Sequence, residues 1–388
     1  MSDSSTTSRP GTALPPRRSR PPARIAELAD PADYPLAPVD TSRPPWPGEE
    51  IAVGRSRIYR RRTPSANPDA EPALYVHGLG GASTNFTDMA DLLSPWLAGD
   101  AIDLPGFGRS GPPPDRDYSV AAHARLVTRY LEQSGRGPVH LVGNSMGGAI
   151  SIRVAAYRPD LVRTLTLISP AVPDLRPRKG SDLLLPLLLV PGLGARALAR
   201  AEGYPPELRV RAVIELCFAH PELVPDNRLA EAAEELTHRR GYPWAAEAML
   251  RSFRGLVRSY LASGGRSTWR LLNQIDAPAV VIWGELDRLV DVAHAPRVAT
   301  ELPDASLLVL PDVGHTAQLE DPASTARAIL GLLSRAGDPS RAVAHHRPDV
   351  SSQSMDGLSG EPGKAVERRS GEPGKAVERR SAGGSIAR

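Results

Sequence analysis

Short runs of β-branched and leucine residues alternate with helical patterns along most of the chain, and this alternation constrains the fold more than any other feature. Ser119 is placed to cap one of the helices, and Asp321, followed by Pro322, is placed to cap another. Apolar strands joined by helices are typical of a parallel sheet that is covered on both faces. The sequence therefore predicts an α/β fold with a mostly parallel, eight-stranded sheet and helices on both faces. The eight predicted strands are EIAVG, RIYRRR, ALYVHG, DAIDLPG, VHLVGNS, TLTLIS, AVVIWG and SLLVLP.

The alternation is interrupted between residues 172 and 270, where helical patterns such as ELRVRAVIELCFAH follow one another without a convincing strand. We expect a helical cap at 172–270, inserted into a core formed by residues 25–171 and 271–335. Within the cap, LLLPLLLV at 183–190 is too short to span a bilayer. It is either a helix packed on the core or an apolar lip over a binding cleft.

Both ends of the chain differ from the core in composition. Residues 1–24 are rich in Pro, Arg and Ser, and residues 336–388 contain SGEPGKAVERR twice in tandem, with helix-breaking Gly-Glu-Pro-Gly in each copy. Neither end has enough apolar residues to offset its ordering entropy, so both are predicted to be disordered tails. The net charge of +3 comes from these tails. We therefore expect no nucleic-acid partner.

A Gly-x-Ser-x-Gly pattern, Gly143-Asn144-Ser145-Met146-Gly147, lies between a predicted strand and a predicted helix. In this context the serine is expected to occupy a sharp turn at which side chains two positions before and after would collide. A serine nucleophile needs a base and a carboxylate that orients the base. Asp287 and His315 follow later strands and are candidates for these two roles.

Four motifs beside the Ser145 turn make the chain resemble the α/β-hydrolase family from about residue 48 to 335. They are YVHGLGG, DLPGFGRSGPP, WGELDRLV and GHTAQLEDP. The resemblance implies a catalytic triad of Ser145, Asp287 and His315. It also implies an oxyanion hole formed by the backbone N–H groups of Met146 and Leu79, with Gly80 as the alternative to Leu79.

The same resemblance gives other residues lesser or competing roles. His77, Asp103 and Arg109 are expected to be structural. Asp174 and Glu285 compete with Asp287 for the role of the acid, and His294 and His123 compete nominally with His315 for the role of the base. Asn85 and Phe86 are expected to line the substrate pocket.

The function implied is the cofactor-free hydrolysis of carboxylic esters or related acyl compounds with apolar acyl groups. One alternative is hydrolysis of a carbon–carbon bond, because GNSMGG and Asn85 are similar to the meta-cleavage-product hydrolases. Those relatives usually have tryptophan after the histidine, where this chain has Thr316. A second alternative is a hydrolase-fold protein that binds a ligand without turnover.

Further features bear on cofactors and compartment. There is no Walker-type phosphate loop, and His345-His346 is an isolated pair, so no cofactor or metal is expected. The start MSDSSTTSRP lacks the apolar region of a secretory signal, and Cys217 is the single cysteine and is expected to be a buried, inert thiol. We expect a cytoplasmic enzyme without a transmembrane segment, acting on a small acyl substrate. The sequence does not indicate an oligomeric state.

Overall fold

A computed structural model describes residues 22–30, 32–174, 189–190 and 192–337 of the chain. The strands in these residues are β1 (Arg24–Ile25), β2 (Gly48–Val53), β3 (Ser56–Thr63), β4 (Glu71–Val76), β5 (Leu97–Ile102), β6 (Val139–Asn144), β7 (Val162–Ile168), β8 (Ala279–Gly284) and β9 (Ala305–Leu310). The α-helices are α1 (Thr87–Leu93), α2 (Val120–Ser134), α3 (Met146–Tyr157), α4 (Leu193–Glu202), α5 (Pro206–Cys217), α6 (Asp226–Arg240), α7 (Ala245–Tyr260), α8 (Thr268–Leu272), α9 (Ala295–Glu301), α10 (Ala317–Glu320) and α11 (Pro322–Ala336).

The strands form one sheet in the order β1-β9-β8-β7-β6-β4-β5-β3-β2. Among them only β3 runs against its neighbours, and all other adjacent pairs are parallel. The prediction of a mostly parallel α/β sheet is confirmed, and the eight predicted strands all lie at strands of the structure. Both predicted helix caps are also present: Ser119 Oγ accepts the Ala122 N–H at 3.1 Å, and Asp321 Oδ1 accepts the Ser324 N–H at 3.0 Å.

The prediction of eight strands is wrong by one, because β1 adds a ninth at the edge of the sheet. Arg24, which the sequence assigns to the N-terminal tail, lies in this strand and pairs with Ser306. Two residues carry no periodic pattern, so β1 depends on tertiary contacts that the sequence does not reveal. The Ala26 N–H donates to Leu307 O at 2.9 Å, and the Arg24 side chain reaches Asp304 at 3.3 Å.

The central strands are buried on both faces. Along β4, Leu74 and Val76 pack in the apolar layer on one side of the sheet, while Ala73 and Tyr75 pack in the layer on the other side. Successive residues that point to opposite faces and are apolar on both faces are typical of a parallel sheet between two helical layers. The carboxyl ends of β4, β6, β8 and β9 consequently meet at one edge of a well-packed core.

Between β7 and β8 the described residues form helices and no strand. We call the segment from α4 to α8, Leu193–Leu272, the cap. The predicted apolar run 183–190 lies outside the described residues except for Leu189 and Val190. The predicted tails also lie outside them, apart from residues 22–24 and 336–337. In the described part of the chain, no helix has the length and apolar character needed to cross a membrane.

Candidate active site

Ser145 is the single residue between β6 and α3. Its backbone has φ 54° and ψ −117°, a conformation that non-glycine residues rarely adopt. Its N–H donates to Ile168 O at 3.0 Å, and its carbonyl accepts the Ala171 N–H at 2.9 Å. These bonds to the end of β7 hold the turn in its strained form. The Ser145 side chain is thereby presented at the carboxyl edge of the sheet, and the residue is only half-buried.

The glycines two positions before and after Ser145 are required because there is no room for a side chain at either position. A Cβ on Gly143 would stand 2.5 Å from both Gly147 O and Ser151 Oγ, and a Cβ on Gly147 would stand 2.0 Å from Val76 O. Neither glycine has a positive φ, so close packing rather than backbone freedom explains both. The predicted collision two positions before and after the serine is confirmed.

His315 and Asp287 lie together at the same edge of the sheet. His315 Nδ1 is 2.8 Å from Asp287 Oδ2, and the two side chains are 5% and 0% exposed. The other oxygen of Asp287 accepts the N–H groups of Leu289 at 2.8 Å and Val290 at 2.9 Å. Burial alone would raise the pKa of Asp287, but the charge and hydrogen bond of His315 and these two N–H donors outweigh burial and lower it. Asp287 is therefore an ionised acceptor that fixes the Nδ1–H tautomer of His315.

The competing acids and bases lie elsewhere. Asp174 pairs with His294, with 3.1 Å between Oδ2 and Nε2. Glu285 is exposed. His123 is buried on α2, its Nε2 lies 3.5 Å from Ser252 Oγ on α7, and burial lowers its pKa to about 3. The structure thus brings Asp287, and none of these rivals, into a hydrogen bond with His315.

His77 organises the loop after β4. It is completely buried; its Nδ1 lies 2.7 Å from Gly78 O, and its Nε2 accepts the Leu104 N–H at 2.9 Å. Because the carbonyl only accepts and the N–H only donates, the ring is neutral and carries its proton on Nδ1. Burial lowers the pKa of His77, in keeping with this neutral state. His77 therefore joins the loop after β4 to the loop after β5.

Asp103 has a similar connecting role. Its Oδ1 accepts the Ser83 N–H at 2.6 Å and its Oδ2 accepts the Arg109 N–H at 2.8 Å. Together with the His77 bridge, these bonds fix the loop that contains Gly78 beside Ser145. A Cβ on Gly78 would stand 3.0 Å from the Ser145 Cβ.

The backbone N–H groups expected to form the oxyanion hole have no acceptor within the part of the chain that the structure describes. They belong to Leu79, Gly80 and Met146. Met146 opens α3, where backbone N–H groups point out of the helix end. Donors of this kind beside a serine can hold an oxyanion, and both residues proposed for the second donor retain that capacity.

Phe86 lies in the core and does not line an open site, so its assignment to the substrate pocket is corrected. It is 1% exposed and stacks on Tyr75 with ring centroids 5.4 Å apart. The short 3₁₀ turn Ser83–Phe86 directs the ring toward β4. Asn85 serves the loop itself, because its Oδ1 accepts the Ala82 N–H at 2.9 Å.

Asn144 contributes to the site in a way that the sequence reasoning missed. Its Nδ2 donates to Ile168 O and to His315 O, each at 3.2 Å. One amide therefore connects the Ser145 turn to the backbone of the His315 loop. The position of Asn144 inside the Gly-x-Ser-x-Gly pattern was the available signal, since that residue must lie next to the serine.

Two cap helices contact the loop after β4. The Met249 Cε, on α7, lies 2.9 Å from where a Cβ on Gly80 would stand. Arg239, on α6, is 8% exposed, reaches Gly80 O at 3.4 Å and Ala245 O at 3.4 Å, and lies 4.7 Å over the Phe107 ring. Burial, aided by the charge of Arg209, lowers the pKa of Arg239 to about 10. The loop beside Ser145 thus meets one apolar and one cationic side chain of the cap.

Cys217, at the end of α5, lies near the acid–base pair. Removal of the thiolate from water, with the charges of Asp287 and Glu320, raises the pKa of Cys217 to about 12. The thiol is therefore protonated and unreactive at neutral pH. Within the described ranges no three His, Cys, Asp or Glu side chains are grouped in a way that could hold a metal ion.

The model of the α/β-hydrolase fold family matches residues 72–322, which is more than half of the chain. The chain belongs to this family. The matched segment includes Ser145, Asp287 and His315.

Relatives of similar sequence differ in their activities. The acetyltransferase component of the acetoin cleaving system of Cupriavidus necator is 29% identical over 259 residues, which are 65% of this chain and only 60% of that protein. Lipase 3 of Moraxella sp. strain TA144 is 25% identical over 71% of this chain and 80% of the lipase. The 2-hydroxymuconate semialdehyde hydrolase of Pseudomonas putida is 29% identical over 68% of this chain and 88% of that enzyme.

Proposed function

We propose that the protein is a serine hydrolase that cleaves carboxylic esters or related acyl compounds through an acyl-enzyme, without a cofactor. The observation that carries the proposal is the combination of Ser145 in its strained turn with the buried His315–Asp287 hydrogen bond of 2.8 Å at the same edge of the sheet. A nucleophile, a base and a group that orients the base are the minimum set for this chemistry.

In the proposed reaction, Ser145 Oγ attacks the carbonyl carbon of the substrate while His315 Nε2 takes the hydroxyl proton. Asp287 holds Nδ1–H and stabilises the imidazolium. The backbone N–H groups of Met146 and Leu79 stabilise the oxyanion. Collapse of the tetrahedral intermediate breaks the bond to the leaving alcohol, which receives the proton from His315. Water, deprotonated by His315, then attacks the acyl-enzyme, and its breakdown releases the acid and restores Ser145.

Two observations support an ester with an apolar acyl group. Met249 places an apolar side chain against Gly80 in the loop that would hold the oxyanion. Lipase 3 of Moraxella is one of the chain's relatives.

Carbon–carbon bond hydrolysis is the second candidate, and Arg239 is the observation in its favour. The Arg239 guanidinium is buried beside Gly80, with the carbonyls of Gly80 and Ala245 as its partners at 3.4 Å. A carboxylate would be a stronger partner for a buried guanidinium than a carbonyl. A dienoate or muconate-type substrate carries such a group, and a 2-hydroxymuconate semialdehyde hydrolase is among the relatives.

A fluorophosphonate probe tests the proposed function. We expect the probe to label the wild-type chain at Ser145, as read by peptide mapping, and the Ser145→Ala variant to remain unlabelled. Absence of labelling in a folded wild type would contradict a serine hydrolase and favour a binding protein.

Turnover of neutral p-nitrophenyl esters against a muconate-type diketone then separates the two hydrolases. If the second candidate is right, the diketone is the better substrate and Arg239→Gln raises its KM. For the proposed esterase, Arg239→Gln leaves the KM of a neutral ester within about threefold.

A further inference from the structure

The loop that contains His315 has little regular structure of its own, since β9 ends at Leu310 and α10 begins at Ala317. Its backbone is held by distant segments. The His315 N–H donates to Cys217 O of the cap at 2.7 Å, and His315 O accepts Asn144 Nδ2 at 3.2 Å. The position of the imidazole therefore depends on contacts made outside the loop.

The Glu320 carboxylate accepts hydrogen bonds from several N–H groups around His315. Its Oε2 accepts the N–H of Gly314 at 2.9 Å and the N–H of Ala219 at 2.7 Å. Its Oε1 accepts the N–H of Thr316 at 3.1 Å and the Thr316 hydroxyl at 3.2 Å. One side chain thus binds the residue before His315, the residue after it, and the cap just beyond α5.

Three backbone segments are stacked at this point. A Cβ on Gly314 would stand 2.5 Å from Cys217 O and 2.7 Å from Ala219 N. A Cβ on Gly284, at the end of β8, would stand 2.0 Å from Gly314 O. The segment leading to Asp287, the His315 loop and the cap are therefore in direct backbone contact.

We propose that Glu320 is a positioning residue for His315: its carboxylate fastens the His315 loop to the end of α5, so that the cap and the general base are held in one geometry. This inference rests on the proposed function of His315. Hydrogen bonds to a carboxylate are shorter and stronger than neutral ones, which suits a loop that must hold a catalytic group within a fraction of an ångström. Glu320 does not enter the reaction.

Glu320→Gln tests the inference because it keeps the shape of the side chain but replaces one acceptor oxygen by an NH₂ group, which faces an N–H donor. We expect kcat for a p-nitrophenyl ester to fall by about 10- to 100-fold, as for small misplacements of a catalytic group. KM should stay within about twofold of wild type, because no binding contact is removed. The rate of fluorophosphonate labelling at Ser145 should fall with kcat.

Glu222→Gln is the matched control. It makes the same chemical change three residues from Ala219, at an exposed carboxylate that pairs with His220. We expect its kcat to equal that of wild type. Circular dichroism and thermal unfolding establish that each variant is folded.

The possible results separate the inference from the proposed function. If the wild type is labelled at Ser145 and Glu320→Gln keeps its kcat, or changes KM alone, the positioning role is wrong and the serine hydrolase stands. If the wild type is not labelled, the proposed function is wrong, and the positioning role of Glu320 is wrong as well because it depends on that function. If Glu320→Gln does not fold, Glu320→Asp takes its place, since it keeps the charge but is too short to reach both the loop and the cap. A wild-type kcat in Glu320→Asp would then overturn the inference.

Discussion

Asp174 and His294 form a pair of their own, with 3.1 Å between Oδ2 and Nε2. In the sequence, Asp174 is an alternative to Asp287 as the acid and His294 is an alternative to His315 as the base. Asp174 follows β7 and His294 follows β8. Only one of the two acid–histidine pairs contains the histidine that follows β9. The catalytic acid and base are therefore assigned together, either as Asp287 with His315 or as Asp174 with His294.

The first prediction compares the two acids. Asp287→Asn should lower kcat by about 10³-fold or more, because an amide can favour the wrong tautomer of His315. Asp174→Asn should leave kcat within about threefold of wild type. Steady-state hydrolysis of a p-nitrophenyl ester measures both, with Glu285→Gln as the control for loss of a neighbouring charge. A loss of activity in Asp174→Asn alone would move the acid to the other pair.

The second prediction concerns Ser145 and His315 as a unit. Ser145→Ala and His315→Ala should each lower kcat by about 10³-fold or more, because either change disables the same proton-coupled attack. The double variant should be no slower than the slower single variant. Independent, multiplying losses in the double-mutant cycle would contradict the assignment.

The third prediction concerns the acyl chain. Each buried methylene contributes about 0.8 kcal/mol, so lengthening a p-nitrophenyl ester from acetyl to hexanoyl should raise kcat/KM by about tenfold or more. Met249→Ser should reduce this ratio while kcat/KM for the acetyl ester is kept. Leu261→Ser, at the exposed end of α7, is the control and should change neither value. An unchanged ratio in Met249→Ser would show that the acyl group lies elsewhere.

The fourth prediction is a loss of stability in mild acid. Burial lowers the pKa of His77, His123 and His140, to about 3 for His123. An unfolded histidine takes up a proton near pH 6.5, whereas these folded ones stay neutral, so the unfolded state binds more protons and stability falls as pH drops. Each of these three histidines should lower the free energy of unfolding by about 1.4 kcal/mol per pH unit below ~6.5, until the pH reaches its lowered pKa.

Urea unfolding at pH 7.5 and 5.5 measures that loss. His123→Phe should reduce the difference between the two pH values, because it removes one of the titrating groups. His220→Gln, at an exposed position, should not. A wild type that is equally stable at both pH values would contradict the prediction.

The fifth prediction concerns the turn at Ser145. Gly147 is in α3, where alanine would ordinarily favour the helix, but a Cβ there would stand 2.0 Å from Val76 O. We expect Gly147→Ala to lower the free energy of unfolding by about 2 kcal/mol or more through overpacking. In Gly265→Ala the added methyl group meets nothing within 4 Å, so its stability should be close to that of wild type. Equal stabilities of the two variants would mean that the β6–α3 turn can relax without cost.

Much of the fold was predictable because the central strands are short, largely apolar runs and because some of the helices between them begin at recognisable N-cap residues. β1 was not, since Arg24 and Ile25 owe their conformation to β9 and not to a local pattern. The sequence also predicted that Ser145 would lie in a sharp glycine-flanked turn and that Asp287 and His315 would follow later strands.

The remaining features of the site depend on how loops approach one another. The direction of the Phe86 ring follows from a single 3₁₀ turn, and the bond from Asn144 to His315 O joins residues far apart in sequence. Glu320 lies in the segment GHTAQLEDP, which the sequence analysis singled out. Its partner Ala219 lies in the cap, where no motif predicts which residues contact the core. Composition and spacing do not encode such contacts.

The stacking of Gly284, Gly314 and residues 217–219 limits how this chain can be recombined with its relatives. A chimera that exchanges the whole cap at its chain ends, near β7 and β8, would also replace the backbone on which Gly314 rests. Grafts should instead keep residues 215–220 native and vary the helices on either side. By the same reasoning, we expect insertions and deletions in the cap to be tolerated best away from the end of α5, where a backbone shift would displace Gly314 and with it the loop that contains His315.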